Sequence, residues 1–515
     1  MNKTTNVRIA SSLADLGSGD PATTASHQAR LASLTATFRA AYPSSVHPTL
    51  LARAPGRVNL IGEHIDYCGF SVLPMALDCD LLVLVGTRPT AVGSSATVNV
   101  RSHEFADQPV SFAAADPAFD ASVIDWGNYF KAGYIGARKH FGLAANPDYD
   151  LFAVIDSTVP PGSGLSSSAA MIVSTLLACI GAELGTEGIA ALDTKKLTQV
   201  AIDTERLVGV NSGGMDQSIS VMASRGQAAV IHFTPKLDLT PVPLPKAAAF
   251  VVAHSLVTAD KAVTAATNYN LRVVETRLAA AILAAHAGRV PLTASSAPPL
   301  ILADLVDWTR PVVPQLEQLH ATATTVLAGP SGTGEWTDAA VAAALSLGTS
   351  EAMREQYMSA FAVTYSTLKL RNRATHVLAE ARRVLAAADA MSAAGETADS
   401  ASTFGALMDA SHASCRDLFE CSHPDVDALV ALGKANGALG ARVTGAGWGG
   451  CTVHLVPDAA AVDAFVDALY DAYYKPRRLA KDKAVGTFLF ATRASAGATV
   501  LPLAAPSSET IVSLL

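Results

Sequence analysis

Cysteine and charge are both scarce in this chain. Its 515 residues include 6 cysteines, none of them in a C-x-x-C pair, so a zinc knuckle or a thioredoxin-like redox centre has no ligands to draw on. Scattered thiols in a chain of this length are expected to be free and buried, in a reducing compartment. Only 16% of the residues are charged, and the net charge is -8. No global basic surface is therefore offered to nucleic acid or to an anionic membrane, and a phosphorylated ligand would need positive charge locally. Also missing is an apolar stretch behind the N-terminus of the kind that marks a secretory leader. The apolar run "AAMIVSTLLACI" (169–180) is too short to span a bilayer and carries Ser174 and Thr175. The chain is expected to be a cytoplasmic monomer with neither a membrane nor a nucleic acid as partner.

What is present is apolar. Half of the residues are hydrophobic, enough for a large core in two domains. Residues 1–27 are rich in Ser, Thr, Ala and Gly without periodicity and read as a mobile tail. Leu31, Leu34 and Phe38 then recur at helical spacing. "LLARAPGRVNLIG" and "VLPMALDCDLLVLVGTRP" read as buried strands. "YDLFAVIDSTVPPG" is a strand halted by Pro160 and Pro161. "SSSAAMIVSTLLACIGAEL" reads as a buried helix starting at the serine cluster. Residues 194–209 and 270–287 are helical, and "TFLFATRA" is read as the last strand. Residues 291–350, rich in Pro, Gly, Ser and Thr, read as a variable surface region or an insertion.

Three stretches carry chemistry. The first is "PPGSGLSSSAA" (160–170), a glycine-rich loop opening a helix. It lacks the lysine with which the familiar phosphate loop neutralises its ligand. Glycines let the backbone approach an anion. The first N–H groups of a helix attract it, and a hydroxyl can ligate magnesium. An N-capped core helix would need the same residues.

The second stretch, "RAPGRVNLIGEHIDYCG" (53–69), gathers Glu63, His64 and Asp66 just after a glycine and beside a buried strand, where polar groups are costly. Carboxylates and an imidazole suit sugar hydroxyls, and Arg57 suits a phosphoryl group or a carboxylate. A salt-bridged surface turn is the plainer alternative. The third, "VNSGGMDQSIS" (210–220), frames one acid, Asp216, with glycines, and Glu205 precedes it. One acid could take a proton while the other holds a metal, although an Asp N-cap would look the same. A later glycine-rich turn, "TGAGWGG" (444–450), permits close backbone approach or a tight hairpin.

In this order the stretches resemble the GHMP kinases, and within them the galactokinases. "GRVNLIGEHIDY" is similar to the galactokinase signature, "PPGSGLSSSAA" to the family's phosphate loop and "TGAGWGGC" to its third motif. "SHASCRDLFECSHPDVD" resembles the eukaryotic branch shared with N-acetylgalactosamine kinases. The resemblance implies a two-domain α+β fold with the active site in the cleft between an N-terminal domain, 28–235, and a C-terminal domain, 236–515. It implies transfer of the ATP γ-phosphate to the C1 hydroxyl of galactose. By motif, Asp216 would be the catalytic carboxylate, with Arg57 beside it. Glu63, His64, Asp66 and Tyr269 would bind sugar. Gly162, Ser163, Gly164, Leu165, Ser166, Ser167 and Ser168 would surround the phosphates, and Ser168 and Glu205 would hold Mg2+. N-acetylgalactosamine is the alternative substrate. A non-catalytic sugar and ATP sensor is a further alternative, which the complete "GLSSSAA" loop opposes. The "GEHIDY" cluster opposes mevalonate or homoserine, which have no ring of hydroxyls.

Overall fold

Residues 50–61 and 73–89 are predominantly apolar, with a few polar residues such as Arg53, Arg57, Asn59 and Asp80 among them, and read as strands covered on both faces. The computed structural model describes residues 6–118, 125–209, 213–245, 248–258, 265–289, 299–359, 362–393 and 398–503. It pairs those two segments antiparallel inside a mixed sheet. In chain order the strands are β1 (Arg8–Ile9), β2 (Leu50–Ile61), β3 (Leu73–Pro89), β4 (Thr97–Ser102), β5 (Val110–Ala113), β6 (Tyr149–Ser157), β7 (Gln227–His232), β8 (Asp238–Pro243), β9 (Ala249–His254), β10 (Gly440–Thr444), β11 (Cys451–Val456), β12 (Leu489–Thr492) and β13 (Thr499–Pro502). The largest sheet runs β1-β13-β2-β3-β6-β4-β5. In it β1–β13 and β4–β6 are parallel. A smaller antiparallel sheet runs β10-β11-β9-β12, and β7 pairs with β8.

The helices that build the site or support it are α1 (Pro21–Ala41), α2 (Trp126–His140), α3 (Ser167–Ala190), α4 (Thr194–Glu205), α5 (Met215–Met222), α6 (Tyr269–His286), α7 (Val312–Val326), α8 (Asp338–Ala344), α9 (Ser350–Met358), α10 (Leu370–Ala393), α11 (Ala398–Ser414) and α12 (Pro424–Ala435). The two-residue period of β3 places its apolar side chains against cores on both faces. Leu81, Val83 and Val85 pack with α2 and α3, while Leu82 and Leu84 face Leu34 and Phe38 of α1. Helices α6 and α10 share a second core with Met75, Leu77 and the segment 299–358. The architecture is the expected α+β arrangement. All six cysteines are free thiols, and five of them are buried.

Four expectations change. Residues 6–27 are not a loose tail: β1 pairs with β13, and α1 starts at Pro21 behind Asp20, whose carboxylate accepts the N–H groups of Ala22 and Thr23 at 3.0 Å each. A capping Asp followed by Pro is a helix start even in Ser/Thr-rich surroundings. Residues 1–5 lie outside the described residues. Among the described residues the last strand is β13 rather than "TFLFATRA", and it pairs with β2 of the first sheet. The apolar run 169–180 is part of the longer α3, which by length and composition could cross a membrane, yet 72% of its most apolar window is buried inside the protein. In the 291–350 region the described residues, 299–350, hold a short 3-10 turn, α7, α8 and the start of α9. Residues 291–298 lie outside the described residues, and beyond them α7, α8 and α9 bury Leu316, Val341 and Met353 in the core.

Candidate active site

Pro55 has no N–H for the β2–β3 ladder. The register shifts between Pro55 and Arg57, and again between Asn59 and Ile61, and such bulges re-aim side chains. Arg57 is 1% exposed. Its Nε donates to Asp216 Oδ1 at 2.8 Å, and Nη2 lies 2.7 Å from the same oxygen. Its Nη1 donates to the Gly164 carbonyl, and its backbone N–H to the Leu165 carbonyl at 3.0 Å. One arginine therefore ties the acid of α5 to the glycine-rich loop.

Within that loop Gly162, Gly164 and Ser166 have φ of 63°, 77° and 66°. Ser163 Oγ donates to the Pro160 carbonyl at 2.6 Å, so this hydroxyl braces the loop. Leu165 is buried in the core. Ser166 Oγ is buried without an intramolecular partner, and Ser167 opens α3. Ser168 Oγ donates to Glu205 Oε1 at 2.7 Å. Gln217 Nε2 donates to Glu205 Oε2, joining α3, α4 and α5 at one buried carboxylate.

The sugar cluster divides. Asp66 is partly exposed and accepts the N–H groups of Tyr67 and Met215; burial and then the neighbouring Asp216 push its carboxyl up. A β-carbon at Gly213 would lie 2.4 Å from Asp66 Cγ, so a glycine lets the start of α5 close on this carboxylate. Residues 210–212 of the third stretch lie outside the described residues. His64 has φ of 64°. Its Nε2 donates to the Ala446 carbonyl at 2.9 Å, and its Nδ1 meets the Tyr67 hydroxyl at 3.1 Å. The rings of Phe419, Trp448, Tyr269 and Tyr67 surround it at centroid distances of 4.7, 5.4, 5.7 and 6.0 Å. Tyr269 opens α6, and burial, then Asp66 and Asp216, hold its phenol well above the usual range. Glu63 points elsewhere. Its Oε1 accepts from Gly445 N and its Oε2 from Asn59 Nδ2, each at 2.9 Å, and Arg442 forms an ion pair with it.

Arg57, Asp66, Glu205, Asp216, Tyr269 and the loop 162–168 thus converge, whereas Glu63 lies behind them. Sequence reasoning missed Asn59, Tyr67, Gln217, Phe419, Arg442 and Trp448. Asn59, Tyr67, Gln217, Phe419 and Trp448 stand inside the quoted stretches, but only burial and packing separate them from their neighbours. Strain marks the same place. Among the described residues, seven non-glycine residues have positive φ, and His64, Ser166, Glu420 and Trp448 are four of them. Such outliers gather at functional sites.

Residues 36–87 match the galactokinase galactose-binding signature. Residues 128–224 match the GHMP kinases N terminal domain, and residues 377–475 the GHMP kinases C terminal family. The galactokinase of Saccharomyces cerevisiae is 38% identical over 476 residues, covering 85% of this chain and 88% of that protein. The galactokinase of Dictyostelium discoideum is 35% identical over 479 residues, covering 88% and 90%. The chain belongs to the galactokinase family of GHMP kinases. The crystal structure of Lactococcus lactis galactokinase complexed with galactose has the same fold, with a TM-score of 0.65 at 23% identity over 91% of this chain and 99% of that one. In galactokinase terms, the signature covers Arg57, Glu63, His64 and Asp66. The N-terminal match covers the loop, Glu205 and Asp216. Tyr269 and residues 299–358 fall outside all three matches.

Proposed function

We propose that this chain is an ATP-dependent galactokinase that makes galactose 1-phosphate, with Asp216 and Arg57 at its reacting centre. The carrying observation is that Arg57 bonds both the Asp216 carboxylate and the Gly164 carbonyl of the phosphate loop. The groups that would meet the nucleophile and the phosphoryl donor are thereby held in one frame, and phosphoryl transfer depends mainly on positioning and charge neutralisation. In the step itself the C1 oxygen of galactose bonds to the γ-phosphorus, the bond from that phosphorus to the β,γ-bridging oxygen breaks, and ADP departs. The hydroxyl proton passes to Asp216. His64, Asp66 and Tyr269 would orient the sugar. The N-terminus of α3 and the buried Ser166 hydroxyl supply donors suited to phosphate oxygens.

Magnesium fits the oxygen donors at Ser168 and Glu205. A hydroxyl and a carboxylate 2.7 Å apart are hard ligands, and this cation takes its remaining ligands from phosphates and water. Bound there, it would neutralise charge on the phosphates.

The test pairs two variants. Asp216→Asn is expected to lower kcat by about 10²–10⁴-fold, the usual span for a lost general base, with circular dichroism unchanged. Ser168→Ala is expected to raise the magnesium-ATP requirement more than the galactose KM. Near-normal turnover of the first variant removes Asp216 from the chemistry. A change confined to the galactose KM in the second moves Ser168 to the sugar side.

A further inference from the structure

Arg442 is completely buried on β10 and takes no part in the steps above. Its Nη1 donates to the Asn59 carbonyl at 3.1 Å and its Nε to Ser411 Oγ at 3.2 Å, while Nη2 pairs with Glu63. Glu380 of α10 lies 3.8 Å from Nη2. It accepts the backbone N–H of Gly62 at 2.9 Å and the Ser411 hydroxyl at 2.5 Å. His376, one turn earlier on α10, donates from Nε2 to the Glu63 carbonyl at 3.2 Å. Thr444 Oγ1 and the backbone of Asn59 bond each other at 2.9 and 3.0 Å. Residues 59–63 run directly into His64 and Asp66. The second half of the chain thus holds them, at backbone and side chain alike.

Charge is balanced in this lattice. Glu63 and Glu380 are countered by Arg442 and by Arg383, which bonds Glu380 at 2.7 Å. Burial pushes Glu380 up, but Arg383 and Arg442 outweigh it and hold the group at about 2. Glu63 differs, since burial there outweighs Arg442 and its carboxyl is raised. Balanced buried ion pairs add little net stability compared with apolar packing. What three directed guanidinium contacts do supply is a fixed position.

We propose that Arg442 is a positioning residue for galactose: by clamping Asn59 and Glu63 it sets the turn that presents His64 and Asp66 to the sugar. The inference rests on the reading of those two residues as sugar ligands.

Arg442→Lys keeps the charge but cannot make the forked contact. It is expected to raise the galactose KM about tenfold, with kcat and the ATP KM within about threefold, the signature of lost ground-state binding. A purely structural role would lower kcat through loss of folded enzyme and leave KM alone, and that result overturns the proposal. Arg442→Met combined with Glu63→Gln removes both charges. Its melting temperature is expected to stay near that of the unmodified chain while the galactose KM stays raised. Recovery of KM in this neutral pair would show that Arg442 only neutralises Glu63, and failure of both variants to fold would make the residue a general core support; either result overturns positioning. Asp66→Asn, run alongside, separates the two ideas. If it leaves the galactose KM unchanged, the sugar-ligand reading has failed. If it raises KM while Arg442→Lys does not, only the inference about Arg442 has.

Discussion

Asp66 lies against a second carboxylate, Asp216, and next to His64, and its pKa is raised by burial and by that neighbour. The sign matters. A carboxyl raised above its unfolded value of about 3.9 contributes stability below that value and loses it as pH rises through the folded value. Protonation of Asp66 therefore does not weaken the fold, but it removes an acceptor for a sugar hydroxyl. The galactose KM is expected to climb on the acid side, beginning above the ordinary aspartate range, while thermal stability does not fall in step. In Asp66→Asn the KM is expected to be high and its acid limb flat. An acid limb that survives the substitution assigns the titration to another group. Residues like this one were legible because their chemistry sits on a contiguous stretch next to glycine. Arg442 and Glu380 were not: Arg442 stands alone in a short apolar strand, Glu380 is one of many polar residues along α10, and each is identified only by what touches it.

At the scale of elements, the N-terminal segment shows why a strand and a helix stay together. Asp80 of β3 is fully buried and accepts from His27 Nε2 at 2.7 Å and from Arg30 Nη1 at 2.5 Å, both on α1, and from Arg53 of β2. Arg53 in turn donates to Ser495 Oγ and to the Ala496 carbonyl, each at 2.9 Å, just before β13. Burial alone would raise the carboxyl of Asp80, but Arg30 and Arg53 outweigh it and hold it far below the usual range. A depressed carboxylate contributes stability above its unfolded pKa and loses it only as pH falls through the folded value, so the contribution is complete at neutral pH. Asp80→Asn is expected to cost about 3–5 kcal/mol, the range for breaking a buried pair and stranding its partner. The exposed Arg416–Asp417 pair is the control, and Asp417→Asn should stay within about 0.5 kcal/mol. Urea midpoints of the two variants decide, and equal shifts would rule out the buried clamp. Asp20-Pro21 is a local start signal for α1 that the reading of 1–27 as a tail passed over. The pairing of β1 with β13 spans nearly the whole chain, and no local pattern could reveal it.

On the scale of the whole molecule, the segment 299–358 was the least legible part. Its Pro, Gly, Ser and Thr content averages out short helices whose caps are individually clear: Thr337 and Thr349 each accept a backbone N–H at 3.2 Å. Packing gives the segment its role. Leu302, Leu316, Leu327, Trp336, Val341 and Met353 are all at most 5% exposed, and α7 lies across α6 and α10. Its entry also supports the sugar turn. A β-carbon at Gly69 would lie 2.7 Å from Ala303 Cβ, and the rings of Phe70 and Trp308 are 6.3 Å apart. Exposing one large apolar side chain costs about 1.5–3 kcal/mol, and a whole domain is stable by only about 5–15 kcal/mol. Deletion removes six such side chains, about 9–18 kcal/mol of burial, and uncovers their partners on α6 and α10, a loss comparable to the whole margin. A chain with 299–358 replaced by a short Gly/Ser linker is therefore expected to be insoluble or unfolded, and not a smaller active enzyme. Soluble yield, circular dichroism and galactose turnover measure this directly. A soluble product with turnover within about threefold of the full chain, a loss of under 1 kcal/mol in transition-state binding, would make the segment a dispensable surface insertion after all.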